Sequence, residues 1–204
     1  MPDEPIGAVQ QGSSQPWRER LPLPRLEDMT VIQRAAADAL IAGPRKGVFG
    51  PFVPLLRSPK LLERVAQVGE YLRFDSVLDS RLRELATCVA ARHVSNQFEW
   101  VMHAPLAIAA GVSAPAIESL RQGARPKGLA ADEEAALDFA HELLRGNGVG
   151  DPTYAIALQH FGEQGVVELT ALVGYFVMVS WVMNVARTPA QESGKAAPLP
   201  PFPL

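Results

Sequence analysis

A dense cluster of chemically capable side chains lies in residues 81–111, RLRELATCVAARHVSNQFEWVMHAPLAIAAG. Glu84 and Cys88 are four residues apart, and so are Glu99 and His103, so each pair would share one face of a helix. Two such helices packed side by side would bring two carboxylates and a histidine together. This set suits proton transfer, because an unperturbed histidine titrates near neutral pH. It suits electron transfer less well, because Cys88 is the only cysteine in the chain.

Each of these carboxylates also has a purely structural interpretation. Asn96 and Glu99 have the spacing of a capping box, in which Glu99 would serve only the start of its helix. A carboxylate near a helix start tends to have a lowered pKa, which favours a base or an anchor over a proton donor. Glu84 could pair at the surface with Arg81 or Arg83. If it faces an apolar interior instead, desolvation would raise its pKa toward the range of a general acid or base.

Four further residues are candidates for binding a substrate: Arg45, Arg92, His93 and Trp100. Arg45 lies in a loop rich in Gly and Pro that could form a pocket wall, and an arginine can hold a carboxylate through paired hydrogen bonds. The loop could equally be a packed connector, Arg92 a solvated helix-end residue, and His93 a residue that interacts with the helix dipole. Trp100 lies beside Glu99. The Glu–His spacing has no second copy, so we predict no metal site.

The composition is that of a globular protein. Of the 204 residues, 48% are hydrophobic and 20% are charged, which allows a core without disulfides. The net charge of −3 and the absence of a basic run argue against a nucleic-acid partner. The first residues do not have the pattern of a secretory signal, and a single cysteine fits a reducing compartment. We therefore expect a cytoplasmic protein.

Helical periodicity runs through the middle of the chain, without the alternation typical of strands. We predict an all-α domain of about seven to eight helices over residues 25–187. It would lie between an N-terminal arm (1–24) and a proline-rich C-terminal tail (188–204). Helix-capping residues mark several predicted starts: Asp28 or Thr30, Asp79 or Ser80, Asn96, and Ser113.

One segment, residues 166–186, is apolar enough to raise the question of a membrane span. Polar residues interrupt it, among them Glu168 and Asn184, and no second such segment accompanies it. We therefore predict a helix buried in the core or between subunits, and no membrane partner. A separate, shorter helix would precede it and end near Gly162.

The order of these residues resembles the carboxymuconolactone decarboxylase family, whose best-studied relatives are the alkylhydroperoxidase D proteins. The resemblance consists of Glu84, a helix break, the motif E-W-x-x-H ending at His103, and a run of small residues ending at Gly111. It covers roughly residues 25–187. It implies an all-helical fold, a homo-oligomer (a trimer or hexamer) and no metal. It also implies a proton relay, with His103 as the shuttle, Glu84 assisting or orienting it, and Glu99 sharing the network.

The chain departs from the peroxidase branch of that family at the redox site. That branch carries C-x-x-C at the positions that Asn96 and Glu99 occupy here, and disulfide cycling needs two thiols. The resemblance therefore implies a cofactor-free acid/base enzyme acting on a small carboxylated or lactone-type organic acid. The reaction would be decarboxylation, isomerisation or lactone opening. The alternatives are a peroxidase-fold protein without the cysteine pair and a non-catalytic helical oligomer with a relict pocket.

Overall fold

The chain folds into eight α-helices over the part described by the computed structural model, residues 18–190 and 196–200. Within these ranges there is no strand, so the predicted all-α fold of seven to eight helices is confirmed. Residues 1–17 of the predicted N-terminal arm lie outside the described ranges, as do parts of the predicted tail. In chain order the helices are α1 (Val31–Ala42), α2 (Phe52–Leu55), α3 (Pro59–Glu70), α4 (Ser80–His93), α5 (Gln97–Ala110), α6 (Ala114–Arg121), α7 (Ala131–Gly146) and α8 (Asp151–Ala186).

Capping side chains fix the starts of four helices. Each accepts a hydrogen bond from a backbone N–H that the first turn leaves without a helical partner. Among the predicted alternatives, Thr30 rather than Asp28 caps α1, and Asp79 rather than Ser80 caps α4. Asn96 and Ser113 cap α5 and α6 as predicted. The two helices predicted on either side of Gly162 form the single element α8, which breaks at this glycine, where φ is 66°.

Helix α4 is the centre of the fold and carries part of the chemically capable cluster. It contacts α5, α6, α7 and α8. Small side chains on α4, including Ala86 and Ala90, have no exposed surface, so neighbouring helices can approach its backbone closely. This packing holds α4 and α5 side by side and fixes the relative positions of the side chains they present to each other.

Helix α8 is the one helix in the described ranges that is long and apolar enough to cross a membrane. In its most apolar 18-residue window, 61% of the residues are buried inside the fold. Its buried side packs into the core through Leu169, Leu172, Phe176 and Met183. Its other side exposes a stripe of apolar residues: Val167, Met178, Trp181 and Val185.

The C-terminal tail returns to cover the first turn of α5. The amide of Gln97 makes two hydrogen bonds of 2.9 Å with the backbone of Leu199, one in each direction. The indole N–H of Trp100 donates to the carbonyl oxygen of Ala197 over 2.9 Å. Leu199 is only 1% exposed, so residues 196–200 form part of the packed structure.

Candidate active site

His103 lies between two carboxylates at the contact of α4 and α5. Its Nδ1 is 2.6 Å from Oε2 of Glu84, and its Nε2 is 3.2 Å from Oε2 of Glu99. His103 and Glu99 are each 4% exposed, whereas the Glu84 side chain is 17% exposed. The structure therefore brings together the three residues that the sequence identified as catalytic candidates. Glu84 has the most solvent access of the three.

Glu99 forms only half of the capping box that its spacing suggested. Its backbone N–H donates to the Asn96 side chain over 2.8 Å, which caps α5. Its carboxylate turns away from the cap and bonds His103 instead. The side chain of Glu99 is thus available to the buried cluster, while its backbone serves the helix.

Glu84 does not pair with the arginines that offered it a structural role. Arg81 pairs with Asp132 (2.6 Å) and Glu133 (3.0 Å), and Arg83 donates to backbone carbonyls that precede α4. Both arginines therefore brace the start of α4. The carboxylate of Glu84 is left to bond His103.

The two carboxylates determine the protonation state of His103. Burial alone would lower the pKa of this imidazole, but the adjacent charges and hydrogen bonds of Glu84 and Glu99 raise it to about 9. The ring therefore carries a proton on each nitrogen at neutral pH and donates to both carboxylates. His103 therefore does not titrate near neutral pH, as an unperturbed histidine would, and it is a proton donor in its resting state.

Cys88 lies one helical turn after Glu84 and is completely buried. Burial raises the pKa of its thiol, and the charges of Glu84 and Glu99 raise it further. Since the thiolate is the reactive form, this environment disfavours thiol chemistry. Cys88 acts as a small apolar core residue.

Tyr175 on α8 is a neighbour of the cluster that sequence reasoning missed. Burial raises its pKa to about 12; Arg45, which hydrogen-bonds the hydroxyl, opposes the shift, and the charge of Glu99 adds to it. Arg45 is itself 95% buried at the side chain, donates to the carbonyl oxygen of Ala66 over 3.0 Å and stacks on the Phe52 ring. Arg45 and Tyr175 thus extend the polar cluster away from His103. The signal in the sequence was the one tyrosine within the apolar segment 166–186.

The other predicted binding residues have partners or surroundings outside the His103 cluster. Trp100 is 1% exposed, and its N–H bonds the C-terminal tail. Arg92 and His93 line a different cavity, between α4 and α7. Two further cavities, of about 460 and 710 Å³, lie along α1 and α3 and beside the exposed side of α8, and the first includes Arg45. None of these three cavities is lined by Glu84, Glu99 or His103.

We predict that replacing Gly69 by alanine destabilises the fold by roughly 1–3 kcal/mol through overpacking. A Cβ at this position would lie 2.1 Å from the Tyr175 hydroxyl and 3.1 Å from Nη2 of Arg45. The control is Gly174→Ala in α8, where a Cβ would meet no atom within 4 Å. Alanine there should stabilise the helix by about 0.5–1 kcal/mol. Urea unfolding of both variants checks the opposite signs, and equal effects would contradict this role for Gly69.

Solved structures with the same architecture include two peroxidase-related proteins and a debrominase. An alkylhydroperoxidase core protein from Ralstonia eutropha and a peroxidase-related protein from Silicibacter each have a TM-score of 0.69 and 16% identity, covering 88% of this chain and 95% of theirs. A debrominase in complex with 2,3,4-tribromopyrrole has a TM-score of 0.60 and 13% identity, covering 81% of this chain and 94% of its own. Identities this low show a shared fold. No curated protein matches the sequence significantly.

The family comparison falls on the segment that builds the candidate site. Residues 59–142 match the model of the carboxymuconolactone decarboxylase family. The matched segment runs from the start of α3 into α7 and contains Glu84, Glu99 and His103. The central part of this chain is therefore similar to the carboxymuconolactone decarboxylase family, and the whole helical domain has the alkylhydroperoxidase D-like fold.

Proposed function

We propose that this chain is a cofactor-free acid/base enzyme acting on a small carboxylated or lactone-type organic acid. The observation that supports the proposal best is the placement of His103 between Glu84 and Glu99, at 2.6 and 3.2 Å. The chain lacks the cysteine pair of the peroxidase branch, and its single thiol is buried with a raised pKa. Proton transfer is the chemistry that this set of groups can perform without a further partner.

In this proposal His103 is the proton donor. Decarboxylation, isomerisation and lactone opening each develop negative charge on a carbon or oxygen of the substrate, and a positioned imidazolium can protonate that atom. Glu84 is the most solvent-exposed of the three groups, so the proposal has the substrate approach from its side. Glu84 can hold the ring's orientation and return a proton to it. Glu99 fixes the other nitrogen and keeps the ring charged.

The test is the pH dependence of turnover on a panel of small lactones and β-keto or muconolactone-type acids. Activity that needs protonated His103 should fall as the pH rises through about 9. Glu84→Gln removes one of the charges that raise this pKa, so the fall should move to lower pH and kcat should drop roughly 100-fold. Glu163→Gln, at an exposed position of α8, is the matched control and should leave the profile unchanged.

Two results would contradict the proposal. One is a profile that is the same in Glu84→Gln and in the parent. The other is the absence of turnover on every acid and lactone of the panel, which would favour a non-catalytic helical protein with a relict site. Turnover that depends on added thiol and stops on Cys88→Ala would point to the peroxidase-like alternative.

A further inference from the structure

A cavity of about 330 Å³ between α4, α7 and the loop that joins α6 to α7 is lined largely by basic side chains. It lies away from the His103 cluster. Arg92 follows Glu84 by eight residues on α4, a rise of about 12 Å along the helix. Among the residues that the structure describes, no acidic side chain lines the cavity. Its basic lining consists of Arg92, His93, Arg125, His141 and Arg145.

Two of these arginines keep an uncompensated charge. Arg125 is neutralised by Glu134 and Asp138 on α7. Arg92 and Arg145 have no acidic partner in residues 18–190 and 196–200, the part of the chain that the structure describes. They lie on different helices, so two positive groups face one space from two walls.

The backbone holds Arg92 in place without using its terminal nitrogens. Its Nε donates to the carbonyl oxygen of Arg121 over 3.0 Å. Gly123 has a φ of 76°, and a Cβ there would lie 2.9 Å from Nη2 of Arg92. Glycine thus leaves room for the guanidinium of Arg92 against the loop, beside the cavity that this arginine lines.

The two histidines add hydrogen-bonding groups without adding charge at neutral pH. Burial lowers the pKa of His93, and the charge of Arg145 lowers it further. Burial and Arg145 also lower the pKa of His141, with Arg125 and His93 acting in the same direction and Asp138 opposing them. Each neutral ring still offers one N–H donor. An anion bound in the cavity would offset the repulsion between the arginine charges and a protonated histidine. It would therefore raise the pKa of both His93 and His141.

We propose that this cavity binds a phosphate-type oxyanion, either inorganic phosphate or the phosphate of a small ester, bridged between Arg92 on α4 and Arg145 on α7. Guanidinium groups form paired, charge-assisted hydrogen bonds with such oxygens. The volume lies within the range of small-ligand sites. Val89 and Leu120 give the cavity an apolar wall, which could accommodate the organic part of an ester. The site is independent of the activity proposed for His103.

The test is calorimetric titration of the full chain with sodium phosphate at constant ionic strength. The parent should bind saturably, and the double variant Arg92→Gln/Arg145→Gln should lose at least about tenfold in affinity. Arg64→Gln is the matched control, since Arg64 is an exposed arginine on α3 that does not line the cavity. Phenyl phosphate in a parallel titration tells the two sources apart. Tighter binding of the ester assigns the site to an organic phosphate, and tighter binding of the inorganic ion assigns it to free phosphate.

Histidine NMR of the parent gives a readout that does not depend on any variant folding. Phosphate should shift the ring signals of His93 and His141 and raise their apparent pKa values, while those of exposed His160 stay in place. Failure of the parent to bind either phosphate compound would overturn the proposal. Equal affinity in the parent and the folded double variant would also overturn it. So would equal shifts of the ring signals of His93, His141 and His160.

Discussion

Replacing His103 by alanine is expected to lower turnover by at least roughly 100-fold and to destabilise the fold by about 3–5 kcal/mol. The variant leaves Glu84 and Glu99 facing each other with no cation between them, and Glu99 has almost no solvent access. Breaking a buried ion pair by removing one partner is costly because the remaining charge is uncompensated. Urea unfolding and turnover on the same preparations measure the two effects. His160→Ala, on the exposed side of α8, is the matched control.

The stability that His103 contributes should depend on pH with a definite sign. Its pKa in the folded chain, about 9, lies above the ordinary value of 6.5. The folded state therefore binds a proton that the unfolded state releases, and the contribution is fully present below pH 6.5. It should be lost as the pH rises through about 9. A parent whose unfolding free energy is flat between pH 6.5 and 9.5 would contradict the protonated state of His103.

Replacing Glu168 by alanine is expected to cost on the order of 2–3 kcal/mol, because it removes the acceptor for several donors at once. This carboxylate on α8 accepts hydrogen bonds from Tyr71 Oη (2.6 Å), Ser76 Oγ (2.5 Å), the Val77 backbone N–H (2.8 Å) and Gln164 Nε2 (2.7 Å). It thereby ties the π-helical turn Tyr71–Asp75 and the approach to α4 onto α8. Thermal and urea unfolding measure the loss, with exposed Glu163→Ala as the matched control.

The contribution of Glu168 should have the opposite pH dependence to that of His103. Burial alone would raise the pKa of Glu168, but its hydrogen bonds outweigh burial and lower it to about 2. The stabilisation is therefore present above the ordinary value near 4.5 and is lost as the pH falls toward 2. The stability difference between parent and Glu168→Ala should shrink over that range. A difference that stays constant from pH 7 to pH 3 would show that the charge of Glu168 contributes nothing.

The parts of this structure that could be predicted from the sequence are those set by neighbours along the chain. Caps at Thr30, Asp79 and Asn96 act within three residues, so their sequence signals carry the whole interaction. The i, i+4 spacing likewise predicted that Glu99 and His103 share one face of α5, and that Glu84 lies on a face of α4 that could contact them. Once α4 and α5 pack side by side, the cluster around His103 follows.

The parts that could not be predicted depend on contacts between distant positions. The spacing of Asn96 and Glu99 could not show that the Glu99 carboxylate would leave the cap for His103. Tyr175 lies 72 residues after His103 in the sequence, yet it is a neighbour of the cluster. Glu168 looked like an interruption of an apolar segment, yet it holds a turn 91–97 residues earlier in the chain. Side-chain identity alone does not reveal such partners.

The covering of α5 by the C-terminal tail sets an order of events during synthesis. Gln97 and Leu199 are 102 residues apart, so at 5–20 residues per second the ribosome makes the first turn of α5 roughly 5–20 s before the segment that covers it. Through that interval the indole N–H of Trp100 lacks its carbonyl partner, and the apolar surface beneath Leu199 is exposed. The nascent chain therefore spends several seconds with the first turn of α5, next to its candidate active site, uncovered.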